Sequence, residues 1–187
     1  MLTVEAGGWR LLIEDGGLPD LYQSYVGNAV FVDRVVPVKD GGRDLFVAIK
    51  AKADRAGASH LWPEMVITQR YQDAQGTLRP GILLVPEASM LFVGAGECLL
   101  GYNLLSRKRV FEDWTECGFF GWSRQGDYIL MSAELEFAVW KVTGEKLWST
   151  FVEPPWSWEV SGMNIKLDVM GTRKALLLET GISADGQ

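Results

Sequence analysis

The chain has 187 residues, with 18 Lys+Arg against 24 Asp+Glu for a formal net charge of −6, and it is 48% hydrophobic and 22% charged. That length supports one domain, or a main domain with a small N-terminal addition, and the composition is that of a folded chain. The negative balance argues against phosphate-backbone binding as the main role, and suits either a basic partner or simple solubility.

Strand signals dominate from the start of the chain. Trp9–Ile13 is short, apolar and bounded by Gly8 and Asp15. Pro19–Tyr25 is a weak helix candidate of one or two turns. Ala29–Val32 and Leu45–Ile49 read as further strands. In the latter, Val47, Ile49, Ala51 and Ala53 alternate with Ala48, Lys50, Lys52 and Asp54, which predicts one dry and one wet face over its second half. Ala53–Pro63 holds at most a helical turn. Met65–Thr68 is the next strand, Asp73–Gly76 a hairpin tip, and Leu78–Val85 the strand that follows it. The Asp-Gly-Gly runs at 15–17 and 40–42 supply the positive φ of tight reversals.

Beyond Pro86 a rhythm begins. Leu91–Val93, Leu99–Leu104 and Lys108–Phe111 are followed by Ile129–Met131, Phe137–Val142 and Lys146–Trp148. Trp140 stands 38 positions after Tyr102, and Trp148 stands 37 after Phe111. Periods near 40 that hold several strands mark stacked β units such as propeller blades. A partial third unit is expected over Ile165–Gly181. The sequence predicts an all-β fold of antiparallel meanders, with blade-like repeats forming a partial propeller or a β-sandwich. Residues 1–86 read as an N-terminal antiparallel sheet region and 87–187 as the blade-like region, the two sharing one core as a single structural domain. The last residues, Ser183–Gln187, read as disordered.

At Val142-Thr143-Gly144-Glu145-Lys146-Leu147-Trp148 the chain resembles the blade repeat of quinoprotein-like β-propellers, over about residues 90–151. Leu104–Phe111 is a degenerate copy, with Ser106-Arg107 for Thr-Gly and Phe111 for the tryptophan. The resemblance implies that the aromatic docks against the neighbouring blade. A complete propeller needs more blades than this chain holds, so the quinone cofactor and the dehydrogenase activity are not carried over. Ser132–Gly171 is also similar to uncharacterised bacterial proteins, a likeness that brings no function.

Six of the eight tryptophans fall after residue 113. Trp and Tyr platforms beside carboxylates hold sugars and amphipathic ligands. Glu153, Trp156, Trp158 and Glu159 flank the stiff Pro154-Pro155 pair and form the candidate binding site. The plain alternative is that these rings only fill the gap between sheets. Glu112, Asp113 and Glu116 surround Trp114, while Glu134 and Glu136, two apart, share one face of a strand. Paired carboxylates perform acid/base work when burial separates their pKa values, and a solvated strand edge explains them as well.

His60 stands alone, without a GxSxG elbow, and Gly94-Ala95-Gly96 precedes no helix, so no catalytic residue is assigned. Lys50, Lys52, Arg55 and Arg70 could form a basic patch or a solvated face. Cys98 and Cys117 lie outside any CxxC pair, and with one histidine no metal site or cofactor is expected. Met1–Glu5 carries no positive export region, and no apolar run is long enough for a membrane helix. The expectation is a cytoplasmic protein of bacterial type with reduced thiols. Its leading role is a non-enzymatic binding or interaction module, immunity-like or regulatory, with a protein partner of basic character and neither nucleic acid nor membrane as target. The rival is a carbohydrate-binding protein or hydrolase using carboxylates beside tryptophans. A homo-oligomer that completes an open sheet edge is a third arrangement.

Overall fold

The computed structural model describes residues 1–38, 41–52, 61–72 and 78–184. His60 and Arg55, the Asp73–Gly76 tip and the last three residues lie outside them. Among the described residues the chain is all-β apart from one short helix. The first sheet holds β1 (Leu2–Ala6), β2 (Trp9–Asp15), β3 (Phe31–Val35), β4 (Arg43–Ala51) and β5 (Met65–Tyr71), in the order β1-β2-β4-β5-β3. Helix α1 (Tyr22–Asn28) connects β2 to β3. The sheet is not purely antiparallel, because β3 pairs with β5 in parallel, Phe31 beside Met65 through Val35 beside Gln69.

The wet face expected over the second half of β4 begins at the half-exposed Lys50 and Lys52, and the stretch just before them is dry on both faces. Leu45, Phe46, Val47, Ala48 and Ile49 are all buried. Leu45, Val47 and Ile49 face the main core. Phe46 and Ala48 lie on the other face with Val66, and α1 covers them through Tyr22 and Tyr25. The rings of Tyr22 and Tyr25 stand 6.1 Å and 5.5 Å from that of Phe46. A seven-residue helix is marginal by itself, so this aromatic face is what holds it in place.

Three meanders follow. The first blade is β6 (Gly81–Val85), β7 (Met90–Ala95), β8 (Cys98–Asn103) and β9 (Lys108–Trp114), each pairing antiparallel with the next. It begins before Pro86, since β6 pairs with β7 across that residue. The second blade is β10 (Phe119–Gln125), β11 (Tyr128–Ala133), β12 (Glu136–Lys141) and β13 (Lys146–Phe151). The third sheet is β14 (Trp156–Ser161), β15 (Asn164–Val169) and β16 (Thr172–Leu177). A fourth strand starts on its edge, where Ser183 bridges Leu176 and the amide of Ala184 donates to the carbonyl of Ala175 at 2.8 Å.

The four sheets stack face to face, and alternation along each strand sorts side chains between the two interfaces. On β7, Leu91, Val93 and Ala95 meet the first sheet, while Met90 and Phe92 meet the second blade. On β11 and β12, Ile129, Met131, Ala138 and Trp140 turn to the first blade, while Leu130, Phe137 and Val139 turn to the third sheet. Strands covered on both faces read as unbroken apolar runs, which is the character of Met90–Ala95. At the interface of the two blades, Gly81 and Gly94 lie directly across from each other. A Cβ on either would stand within 2.8 Å of the Phe119 ring. The paired glycines therefore make a slot into which Phe119 fits.

The first sheet is also tied to the first blade by polar contacts. Gln69, fully buried, donates to the carbonyls of Ala95 and Cys98 at 3.0 Å and 2.9 Å. Tyr102 donates its hydroxyl to Asp33 at 3.0 Å, and Arg107 meets Glu64 at 2.5 Å. Helix α1 covers the part of the first sheet's outer face around Phe46, Ala48 and Val66, and the outward face of the third sheet carries Ser157, Glu159, Lys166 and Asp168 in paired register.

Candidate functional site at the aromatic end of the blades

An antiparallel meander brings alternate turns to one end, and here four connections gather. They are the β7–β8 turn, the β9–β10 link, the β11–β12 turn and the β13–β14 link. Backbone bonds join them into a rim. Phe119 donates to Gly96 at 2.8 Å, Glu134 to Gly118 at 3.0 Å, and Val152 to Leu135 at 3.0 Å. Thr115 caps the link by donating its hydroxyl to the carbonyl of Cys117.

Trp156 and Trp158 are half-buried on the inward face of β14 and pack on Phe137, with centroids at 6.1 Å and 5.8 Å. Each indole N–H is fixed by the second blade: Trp156 donates to the Glu134 carbonyl at 3.1 Å and Trp158 to the Ser132 hydroxyl at 3.0 Å. With Phe120, Pro154 and Pro155 they line an open concavity of about 590 Å³. The register shift between Phe119 and Gly121 sets Phe120 apart from the ladder and leaves it 51% exposed.

Glu153 and Glu159 do not join this concavity. Both are exposed, and Glu159 lies on the opposite face of β14, across from Lys166. The carboxylate that borders it is Glu134. Glu134 also borders a neighbouring concavity of about 430 Å³ that includes Glu97, Cys98, Trp114 and Cys117. Glu97, Glu116, Glu134 and Glu153 are all exposed, and none forms an ion pair among the described residues. Burial and then the charges of Glu134, Glu97 and Glu116 push the Cys117 thiol up, so those three carboxylates act on one place. Glu136, in contrast, is bound to Lys146 at 3.2 Å, and that ammonium also holds Asp113 of the first blade at 2.7 Å. Glu134 and Glu136 are thus parted rather than paired.

Of the basic candidates, Arg70 is committed to Asp44 through two bonds of 2.9 Å and 3.0 Å. Cys98 and Cys117 are free thiols, and burial pushes Cys98 up to about 12. No group of three or more His, Cys, Asp or Glu among the described residues is arranged to hold a metal ion. No helix among them is long and apolar enough to cross a membrane. Of the candidate site residues, Trp156 and Trp158 share their concavity with Phe120 and Ser132, which are not among those candidates. The Phe119-Phe120 doublet was the signal, since adjacent aromatics on a strand must face opposite ways.

Four-stranded antiparallel sheets stacked in sequence order make this chain a partial β-propeller. Among solved structures it is similar to the computationally designed Ika4 protein, at 15% identity and TM-score 0.44 over 59% of this chain and 75% of that one. It is similar to BamB from Moraxella catarrhalis at 14% identity and TM-score 0.43, over 80% of this chain and 50% of that one. The WD40 β-propeller domain of Doa1 gives 16% and 0.43, over 80% of this chain and 52% of that one. The chain thus spans about half the length of the last two. No family model and no curated protein matches it.

Proposed function

We propose that this protein is a non-enzymatic binding module whose aromatic end receives a basic segment of a partner protein. The observation that carries the reading is the exposure of Trp114, Phe120 and Phe151, at 47%, 51% and 63%, beside carboxylates that have no cation of their own among the described residues. Exposed rings beside such carboxylates suit Lys and Arg side chains, whose stems lie on rings while their heads meet the acids. An immunity-like or regulatory role in a bacterial cytoplasm is the concrete form of this reading. The sugar-binding or hydrolytic alternative needs Glu153 and Glu159 to converge on the tryptophans, and neither borders their concavity.

The test is a peptide array of Lys/Arg-rich and acidic segments, probed with the wild type and with Phe120→Ser and Glu134→Gln. Micromolar binding confined to basic peptides, weakened about tenfold or more by Phe120→Ser at unchanged thermal stability, supports the proposal. Binding that ignores peptide charge, or that Phe120→Ser leaves intact, overturns it.

A further inference from the structure

The outer face of the first sheet, away from the blades, carries a charge pattern that the fold does not account for. Arg10 on β2 lies directly across from Lys50 on β4. Like charges directly opposite destabilise an antiparallel ladder. One step along the same face, Leu12 lies across from Ala48. Tyr25 and Trp62 join them, their rings edge to face at 5.9 Å. These residues, with Leu21 and Pro63, line a concavity of about 300 Å³ that has an apolar floor and the two cations at one side.

Among the described residues the charges there are not balanced. Glu5, opposite Arg10 on β1, binds Arg10 at 2.6 Å and Lys52 at 2.9 Å, so one carboxylate serves two cations. Lys50 has no ion pair among the described residues. Among the described residues, three cations around one carboxylate, in a chain of net charge −6, leave a local positive surplus. At the rim Leu21 and Leu61 are 55% and 81% exposed. A small apolar concavity with a few convergent polar groups is the form of a small-molecule site, and 300 Å³ stands at the small end of such sites.

We propose that this concavity binds a single-chain amphipathic carboxylate of medium length. Its head sits between Lys50 and Arg10, where it relieves their repulsion, and its hydrocarbon chain covers Leu12 and Ala48 against Tyr25 and Trp62. A free neutral chain would gain the burial but not the ion pair, and a bare carboxylate would gain the reverse. The site lies on a different face from the aromatic end of the blades and stands independently of the role proposed there.

Isothermal titration of the full chain with decanoate, decanol and acetate tests this. Decanoate should saturate one site, with decanol and acetate each at least about tenfold weaker. Lys50→Gln should weaken decanoate about tenfold or more, Lys50→Arg should retain it, and Lys166→Gln on the far sheet should change nothing. Arg10→Gln is the second variant should Lys50→Gln unfold early. Absence of saturable decanoate binding, decanol binding equal to decanoate, or unchanged binding in folded Lys50→Gln or Arg10→Gln overturns the proposal.

Discussion

Trp148 is seated on Gly181. A Cβ at Gly181 would stand 2.6 Å from Cδ2 of the indole, and Trp148 donates its N–H to the carbonyl of Leu178 at 2.8 Å. One blade earlier Phe111 touches the corresponding glycine, with Cδ1 3.4 Å from a Cβ built on Gly144, while its ring lies closest over Gly101 of its own blade. Phe111 to Trp148 and Gly144 to Gly181 are both 37 positions apart. In both blades the outer-strand aromatic therefore reaches the glycine turn of the next unit, closely in the case of Trp148.

Replacing Trp148 by Ala removes that seat and its hydrogen bond. Because the ring is half-buried, the loss should be about 2–4 kcal/mol, toward the lower end of core Trp truncations. Trp148→Phe should keep most of the packing and lose only about 1 kcal/mol for the missing N–H bond. Urea unfolding of the three proteins measures both. Equal stability of Trp148→Ala and wild type would refute the docking role.

Gly94→Ala should cost about 1–3 kcal/mol, the usual range for overpacking, since the new methyl meets the Phe119 ring at 2.8 Å. The double variant Gly94→Ala with Phe119→Leu should recover part of that loss. A double-mutant cycle on thermal unfolding reads the coupling, which should be at least about 0.5 kcal/mol.

Gln69→Leu leaves the carbonyls of Ala95 and Cys98 without their side-chain donor inside the core. Each loss is worth about 1–3 kcal/mol. Hydrogen exchange should quicken at the 95–98 turn before it does in the second blade, and uniform protection across both would count against the assignment.

Alkaline pH should destabilise the fold. Burial raises Cys98 from 9.0 to about 12, and burial with Asp33 raises Tyr102 above its usual 10.0. A group whose folded pKa is raised contributes fully below its unfolded value and loses that contribution as pH climbs toward the folded one. For the thiol the window is pH 9 to about 12, and each group costs up to about 1.4 kcal/mol per pH unit within its window. Cys98→Ala should lower stability at pH 7 but flatten its decline above pH 9. An undiminished slope in that variant would show that other groups control the decline.

The blades were legible because turn chemistry and aromatics recur at a fixed spacing, and Trp140, fully buried, was read correctly as structural. The parallel pairing of β3 with β5 was not, since it joins strands separated by β4 and leaves no local trace. The dry second face of β4 depends on α1, whose weak helical signal gave no hint that Tyr22 and Tyr25 would cover Phe46. Around Trp156 the rings could be placed on one face by alternation, and the same alternation sends Glu159 to the other. Phe120 shows in the sequence only as the second ring of the Phe119-Phe120 doublet, and the one-residue irregularity in β10 that sets it off the ladder leaves no local trace.

Seating each ring on the following turn has a consequence for how such a chain can change its length. Phe111 of the first blade and Trp148 of the second each meet a glycine turn of the following unit, and each blade packs on its immediate neighbours. A further copy of 37 residues spliced between the second blade and the third sheet would find a glycine to receive its own ring and a ring to fill its own glycine. The number of layers is then a quantity that gene duplication can vary while keeping this seat between successive layers.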